Sequence, residues 1–347
     1  MIISVPISTV LAFLPAVLGI PTLNTRQDTK AVEIEVELVG DTSKVSIAVI
    51  DQETSEVLGR SCSSTLNSGG FANFPIATNL DIYGGGKITV GPTVYEVHEN
   101  PEFSGGITCS RIYNDAGAFV TCTASIPVSL QATALGKSSL PGCFAKGATS
   151  NLKRASKSIR TANSSPEPAI APLNETVQQA NHSLHARQYE CSQWNYYTRN
   201  VGDGNPHQNY WDKQLSENIN CGASPSCSVG HEQSSSFSVE WSASAAAFEW
   251  ISGGFAVQEE WTTGNEYTCF GNQGDTVCVW YNTAHTAYTV QNWEENVCTS
   301  PTQSGDPYVM FSPNQNNAGG GYYCVVGTCR SEGQGYWDKS GPAGGPP

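Results

Sequence analysis

Twelve cysteines set the terms on which this chain can fold. Four lie early (Cys62, Cys109, Cys122, Cys143) and eight late (Cys191, Cys221, Cys227, Cys269, Cys278, Cys298, Cys324, Cys329). No two have the C-x-x-C spacing of a zinc knuckle, so zinc is disfavoured and disulfides are the expected use of these thiols. Such bridges persist in oxidising compartments. Both counts are even, which allows two separately bridged modules. Turn residues suggest two of the pairs. The turn Asn114-Asp115-Ala116-Gly117 would set Cys109 opposite Cys122, and the Gly-rich stretch 271–274 would set Cys269 opposite Cys278.

Residues 2–23 form the only long apolar run, and no charged residue precedes Arg26. This reads as a secretory signal over residues 1–19, with small Val17 and Gly19 at the cleavage site. A retained anchor is the competing reading. Pro6, Pro15 and Pro21 interrupt the run and no basic flank follows it, which argues against a span. Export to the extracellular space is therefore expected.

Lys and Arg total 17 against 31 Asp and Glu, a net charge of -14. Binding to nucleic acid relies on clustered cations that neutralise phosphate, so that class is excluded. No P-loop, G-x-S-x-G elbow or calcium loop occurs, and His231-Glu232 lacks the second histidine of a zinc-protease helix. Neither a cofactor nor a metal is expected. Gly84–Gly86 and Gly319–Gly321 read as turns, while His207 and His285 sit in loop-like contexts beside aromatic residues.

Between residues 144 and 187 the composition changes. Lys146, Lys153, Arg154, Lys157 and Arg160 cluster here, with Pro166, Pro168 and Pro172 and many Ser and Ala. Too few apolar residues are present to offset chain entropy, so a disordered linker is expected. All three N-x-[ST] acceptors of the chain, Asn163, Asn174 and Asn181, fall inside it, as glycan attachment to exposed sequence requires. The only adjacent basic pair, Lys153-Arg154, is there too, and Arg187 precedes a fresh N-terminus at Gln188. A kexin-type protease, whose acidic pockets take consecutive cations, would cut at such a pair. The alternative is an uncleaved tether.

This order of signal, small β module, glycosylated basic linker and cysteine-rich module resembles fungal preproproteins of the killer-toxin and secreted-effector type. The resemblance rests on architecture, the Lys153-Arg154 pair and the sequons. It implies export followed by release of one or two active pieces, and it assigns no functional residue.

Residues 20–143 read as an antiparallel β module or pro-region. In AVEIEVELV, Val32, Ile34, Val36 and Leu38 alternate with Glu33, Glu35 and Glu37, a half-buried strand whose acidic face would guard an edge. KVSIAVI, GKITVG, TVYEVH, GGITCSRIY and GAFVTCTASI follow between turns, with no helix of convincing period. Residues 188–347 hold all eight Trp and 11 of the 14 Tyr. Large rings in a bridged β core explain this, as do exposed ring platforms for sugar or a membrane interface. The whole is expected to be all-β, two antiparallel sandwich-like, disulfide-bonded modules joined by the linker.

One passage suggests chemistry. From Phe237 the apolar residues Phe237, Val239, Trp241, Ala243 and Ala245 alternate with Ser and Glu. The phase then shifts at Phe248 and Trp250, and Phe255, Val257, Trp261 and Tyr267 continue the apolar side after a Ser252-Gly253-Gly254 turn. An amphipathic hairpin of this kind fits a half-buried sheet. It also fits a transmembrane β-hairpin, for which several chains would have to supply one hairpin each. Trp241, Trp250, Phe255 and Trp261 are the candidates for touching a surface or membrane. Glu259 is the candidate catalytic carboxylate, with Glu249, Glu294, Glu295, Asp275 and Asp306 as partners from elsewhere. Adjacent Glu260 faces the other way and cannot pair with it across a cleft. The expected function is therefore recognition of a cell-surface glycan, polysaccharide or membrane by a toxin- or effector-like protein. A wall-directed glycoside hydrolase and a structural secreted protein are the alternatives.

Overall fold

The computed structural model describes residues 28–40, 44–130, 143, 149–163, 191, 194–231, 236–238, 260–264 and 266–341. The expected signal segment, Arg187, Asn174 and Asn181 lie outside them. The first half contributes β1 (Thr29–Val39), β2 (Lys44–Asp51), β3 (Val57–Ser61), β4 (Thr65–Leu66), β5 (Ile76–Leu80), β6 (Gly86–Val90), β7 (Thr93–Glu96), the one-turn α1 (Pro101–Ser104), β8 (Thr108–Asn114) and β9 (Gly117–Pro127). Helix α2 (Ser150–Asn163) follows. The second half contributes β10 (Trp194–Asn200), β11 (His207–Gln214), β12 (Ile219–Asn220), β13 (Ser226–His231), β14 (Ser236–Ser238), β15 (Glu260–Thr262), β16 (Tyr267–Asn272), β17 (Thr276–Asn296), β18 (Thr299–Pro313), β19 (Gly321–Val326) and β20 (Gly335–Asp338).

The all-β, antiparallel expectation holds, and the strands divide as a sandwich. One 12-stranded sheet runs β20-β11-β17-β19-β8-β9-β1-β2-β3, with β10, β12 and β18 also pairing with β17. On one of its faces Val32, Ile34, Val36, Val120, Cys122, Val277 and Val279 are buried in a core shared with Leu66, Ile76 and Ile88 of the β4–β7 sheet, with Phe71 from the turn between β4 and β5, and with Val229 and Cys269 of the β13–β16 pair. The period of two in AVEIEVELV thus buries one side of β1 as expected.

The halves are joined edge to edge. Strand β19 pairs with β8 through Cys324↔Tyr113, Val325↔Ile112 and Val326↔Arg111. Beside this seam the Arg111 guanidinium donates to the Asp275 carboxylate, with both side chains buried, and His98 Nε2 lies 3.5 Å from Asp275. The Tyr113 hydroxyl donates to the Phe270 carbonyl at 2.7 Å and accepts from the Phe270 N–H at 2.6 Å.

Every disulfide stays within its own half: Cys62–Cys143 and Cys109–Cys122 early, then Cys191–Cys298, Cys221–Cys227, Cys269–Cys324 and Cys278–Cys329. Cys109 and Cys122 are direct cross-strand partners, as their turn suggested. The expected Cys269–Cys278 bridge is wrong. Its glycines do not close a hairpin, because β16 pairs with β13 while β17 enters the main sheet. Cys269 therefore crosses the core to Cys324, and Cys278 lies on the opposite face with Cys329.

The disordered-linker expectation fails for residues 149–163, where α2 packs on the second face of the main sheet. Leu152, Ala155 and Ile159 recur at helical spacing and are buried against Phe119, Ile112, Trp280, Tyr323 and Val325. The acidic face of β1 receives the helix: Lys153 Nζ donates to Glu35 at 2.7 Å, Lys157 Nζ is 3.6 Å from Glu35, and the Thr149 hydroxyl donates to Glu37. Those glutamates guard no edge, since β1 is paired on both sides by β2 and β9. Arg154 reaches the second half. Its guanidinium lies over the Tyr210 ring at 3.4 Å, 3.0 Å from Asp338 and 3.8 Å from Asp212. Burial works against the Arg154 charge, but Asp212 and Asp338 outweigh it and hold the proton more firmly than usual.

Removing Arg154 leaves two buried carboxylates without their cation, so Arg154→Leu should lower unfolding free energy by about 3–5 kcal/mol. Lys153→Ala, a half-exposed pair with Lys157 as a second cation for Glu35, should cost about 1 kcal/mol or less. Urea unfolding of the two variants checks the difference, and similar losses would refute this division of labour.

Candidate functional site

A cleft of about 570 Å³ opens where the halves meet, lined by Ile82, Tyr83, Tyr113, Asn114 and Asp115 from the first and Glu266, Tyr267, Thr268 and Phe270 from the second. Each wall has a local cause. After β5 the Asp81 carboxylate accepts the N–H groups of Tyr83 (2.8 Å) and Gly85 (2.9 Å), closing a turn that throws Ile82 and Tyr83 outward. Gly84 takes a left-handed conformation, φ +76°, and sits against Val120 with no room for a Cβ. Opposite, the β8–β9 turn is held by Asn114 Oδ1, which accepts from Ala116 N–H, and it presents the exposed Asp115. Strand β16 supplies the third wall, with Tyr267 stacked on Tyr322 at 4.8 Å.

The rings are tilted towards one another. Tyr83 lies 5.0 Å from Tyr113 and 6.4 Å from Phe270, at interplanar angles of 56° and 41°. Tyr83 and Phe270 are 40% and 49% exposed and stand together with exposed Ile82 around one opening, a grouping that single exposed apolar residues do not make. Burial pushes the Tyr113 phenol up to about 12. The Tyr267 phenol is raised further, by burial first and by the nearby Asp115 charge second. Such a cleft can stack ring faces on the apolar side of a sugar while Asp115 and Glu266 accept hydrogen bonds from hydroxyls.

Comparison with protein-family models, with curated proteins and with solved structures finds no match.

The residues singled out in the sequence fall elsewhere. Trp241, Trp250, Phe255, Glu249 and Glu259 lie outside the described residues. Trp261 is half-buried and donates from Nε1 to the Tyr281 hydroxyl at 2.6 Å, so it is docked rather than presented. Its strand β15 pairs with β14 through Phe237↔Trp261, as the hairpin reading requires, but Tyr267 belongs to β16 and not to the return strand. Asp275 is taken up by Arg111, Glu295 accepts from Tyr197 and Asn195 at 3.2 and 3.3 Å, Glu294 lies half-buried on β17, and Asp306 is exposed on β18. The structure brings none of these carboxylates into the cleft. Lys153 and Arg154 lie on α2, and Asn163 is its last residue.

His207 opens β11, whereas His285 is not in a loop. It lies buried at the middle of β17, 4.9 Å from Trp337, and burial lowers it to about 4. Trp337 in turn touches Trp211 and Phe311, at 5.3 and 4.8 Å, in a second, half-buried row of rings. Asp338 ends β20 as a buried ion partner of Arg154. The sequence marked Asn114, Asp115 and Tyr267 only as turn and strand residues and left the other cleft residues unremarked. An apolar pair on a Gly-rich turn, Ile82-Tyr83 before Gly84–Gly86, was the signal that could have flagged its first wall.

A phenol whose folded value exceeds its unfolded value of about 10 favours the folded state below pH 10 and loses that contribution as pH rises towards 12. Stability should therefore fall by about 2–3 kcal/mol over that interval on account of Tyr113. Tyr288, also raised to about 12, adds to the fall. Guanidinium midpoints measured from pH 9 to 12 should show a shallower slope in Tyr113→Phe, and an unchanged slope would count against this assignment.

Proposed function

We propose that this is an extracellular recognition protein of the toxin or effector kind, which binds a polysaccharide or cell-surface glycan in the cleft between its halves. The observation that carries the reading is the convergence of Tyr83, Tyr113, Tyr267 and Phe270 with Asp115 and Glu266 around one open space. Six disulfides fit an oxidising destination. Among the described residues no helix is long and apolar enough to cross a membrane.

Maturation by a kexin-type protease is retained in a narrower form. In the folded protein the bond after the Lys153-Arg154 pair lies within α2 and the Arg154 guanidinium is held by Asp212 and Asp338, so cutting there requires the helix to leave the sheet. Arg187 carries the processing reading after folding. A cut there separates two chains that share no disulfide, and the β8–β19 seam with α2 is what keeps the cleft assembled. Glycans at Asn163, Asn174 and Asn181 belong to the same reading.

On glucan or chitin beads the full chain should be retained, and Tyr83→Ala and Phe270→Ala should each weaken retention about tenfold, the equivalent of about 1.4 kcal/mol. Trp194→Ala, an exposed ring on β10 outside the cleft, should change nothing. Equal loss in all three variants would remove the cleft from the reading.

Membrane perturbation is a second reading, favoured by the paired ends of the 236–262 segment, Ser236↔Thr262 and Phe237↔Trp261. That segment is long enough for two strands of about 10 residues, the length a tilted strand needs to cross a bilayer, and several chains would have to join to close a barrel. Dye release from liposomes should then be lost in Trp241→Ser or Trp250→Ser. Intact liposomes with the unaltered chain would exclude the membrane activity and leave the glycan reading in place.

A further inference from the structure

The cleft selects for charge as well as shape, and we infer that its ligand presents an organic ammonium group, either the glucosamine unit of a deacetylated polysaccharide or the choline of a lipid headgroup. The inference rests on the cleft being the binding site, and it narrows what that site takes. Among the described residues its lining carries two carboxylates, Asp115 and Glu266, and no lysine or arginine. In a chain of net charge -14, this leaves anionic sugars and bare phosphates without a partner there. Aromatic faces are the negative regions of their rings, and the exposed Tyr83 and Phe270 line this space 6.4 Å apart, with Tyr113 beneath them. Cations held over these faces are attracted most strongly once partly desolvated. A volume near 570 Å³ is far more than a lone metal ion fills and suits a sugar unit or a headgroup.

The protein already holds a cation by this combination. Arg154 lies over the Tyr210 ring, with Asp212 and Asp338 beside it. There the cation comes from the chain itself. In the cleft Tyr83, Phe270, Asp115 and Glu266 are open to solvent, and the cation must come from outside.

The test uses the full chain and four probes: tetramethylammonium chloride, glucosamine oligomers, N-acetylglucosamine oligomers and phosphatidylcholine vesicles. Tetramethylammonium should bind, as read by tyrosine fluorescence or calorimetry, and Tyr83→Ala should weaken it about tenfold. The double variant Asp115→Asn, Glu266→Gln changes two exposed side chains and should keep the parent's melting temperature. It should weaken ammonium binding about tenfold while altering binding of the neutral N-acetylated oligomer by less than twofold. Whichever of the glucosamine oligomers or the vesicles competes with tetramethylammonium identifies the natural source. If N-acetylglucosamine oligomers bind and tetramethylammonium does not, the ammonium inference is overturned while glycan recognition stands. If no probe binds and Tyr83→Ala retains full bead binding, the cleft fails as a site altogether.

Discussion

Three residue pairs between β8 and β19 decide what kind of molecule this is. Without them there would be two bridged β modules, each with an open sheet edge, and no cleft. With them the edges cancel, the sheet runs through both halves, and the rings of the first half meet those of the second. Buried charge reinforces the junction where main-chain hydrogen bonds alone would be few: Arg111 and Asp275 come from opposite halves and satisfy one another out of water. The Tyr113 hydroxyl, bonded to both polar groups of the Phe270 backbone, ties the seam directly to the cleft wall.

Helix α2 performs the same joining on the other face, by different means. Its apolar residues cover Phe119 and Ile112 from the first half and Trp280, Tyr323 and Val325 from the second. Its cations are divided likewise, Lys153 and Lys157 to Glu35 and Arg154 to Asp212 and Asp338. Burial raises the Asp212 carboxyl above its ordinary range even with Arg154 near, whereas Asp338 is held below it, the Ser340 hydroxyl and N–H and the Arg154 charge overcoming the effect of burial. The two acids thus share one cation unequally.

What the sequence made legible was local. The strand alternation of β1, the hairpin that sets Cys109 beside Cys122, the even division of cysteines and the antiparallel class all follow from periods and turns a few residues long. What it concealed was pairing at a distance. The alternating glutamates of β1 and the basic run of the linker looked like two solvated features, yet each is the partner of the other. Cys269 and Cys278 looked like neighbours across a turn, but the chain changes sheets between them. The cleft needed all of these at once: the turn at Tyr83, the hairpin tip at Asp115 and strand β16 are remote in sequence and converge only after the sheet has closed. Composition weighed against a helix in the linker because its polar residues were counted together, while the three that pack, Leu152, Ala155 and Ile159, are apolar and correctly spaced.

The seam also orders events in time. Residues 108–114 must wait for residues 321–326, which are made roughly two hundred residues later. Until then β8 keeps an unpaired outer edge on a half that is otherwise able to form its own bridges and core, the condition in which nascent β proteins recruit wrong partners. Closing so long a loop is slow, and the reward comes only when β19 arrives. Truncation between Cys143 and β19 would thus leave a first half that keeps its own bridges but carries an adhesive flank.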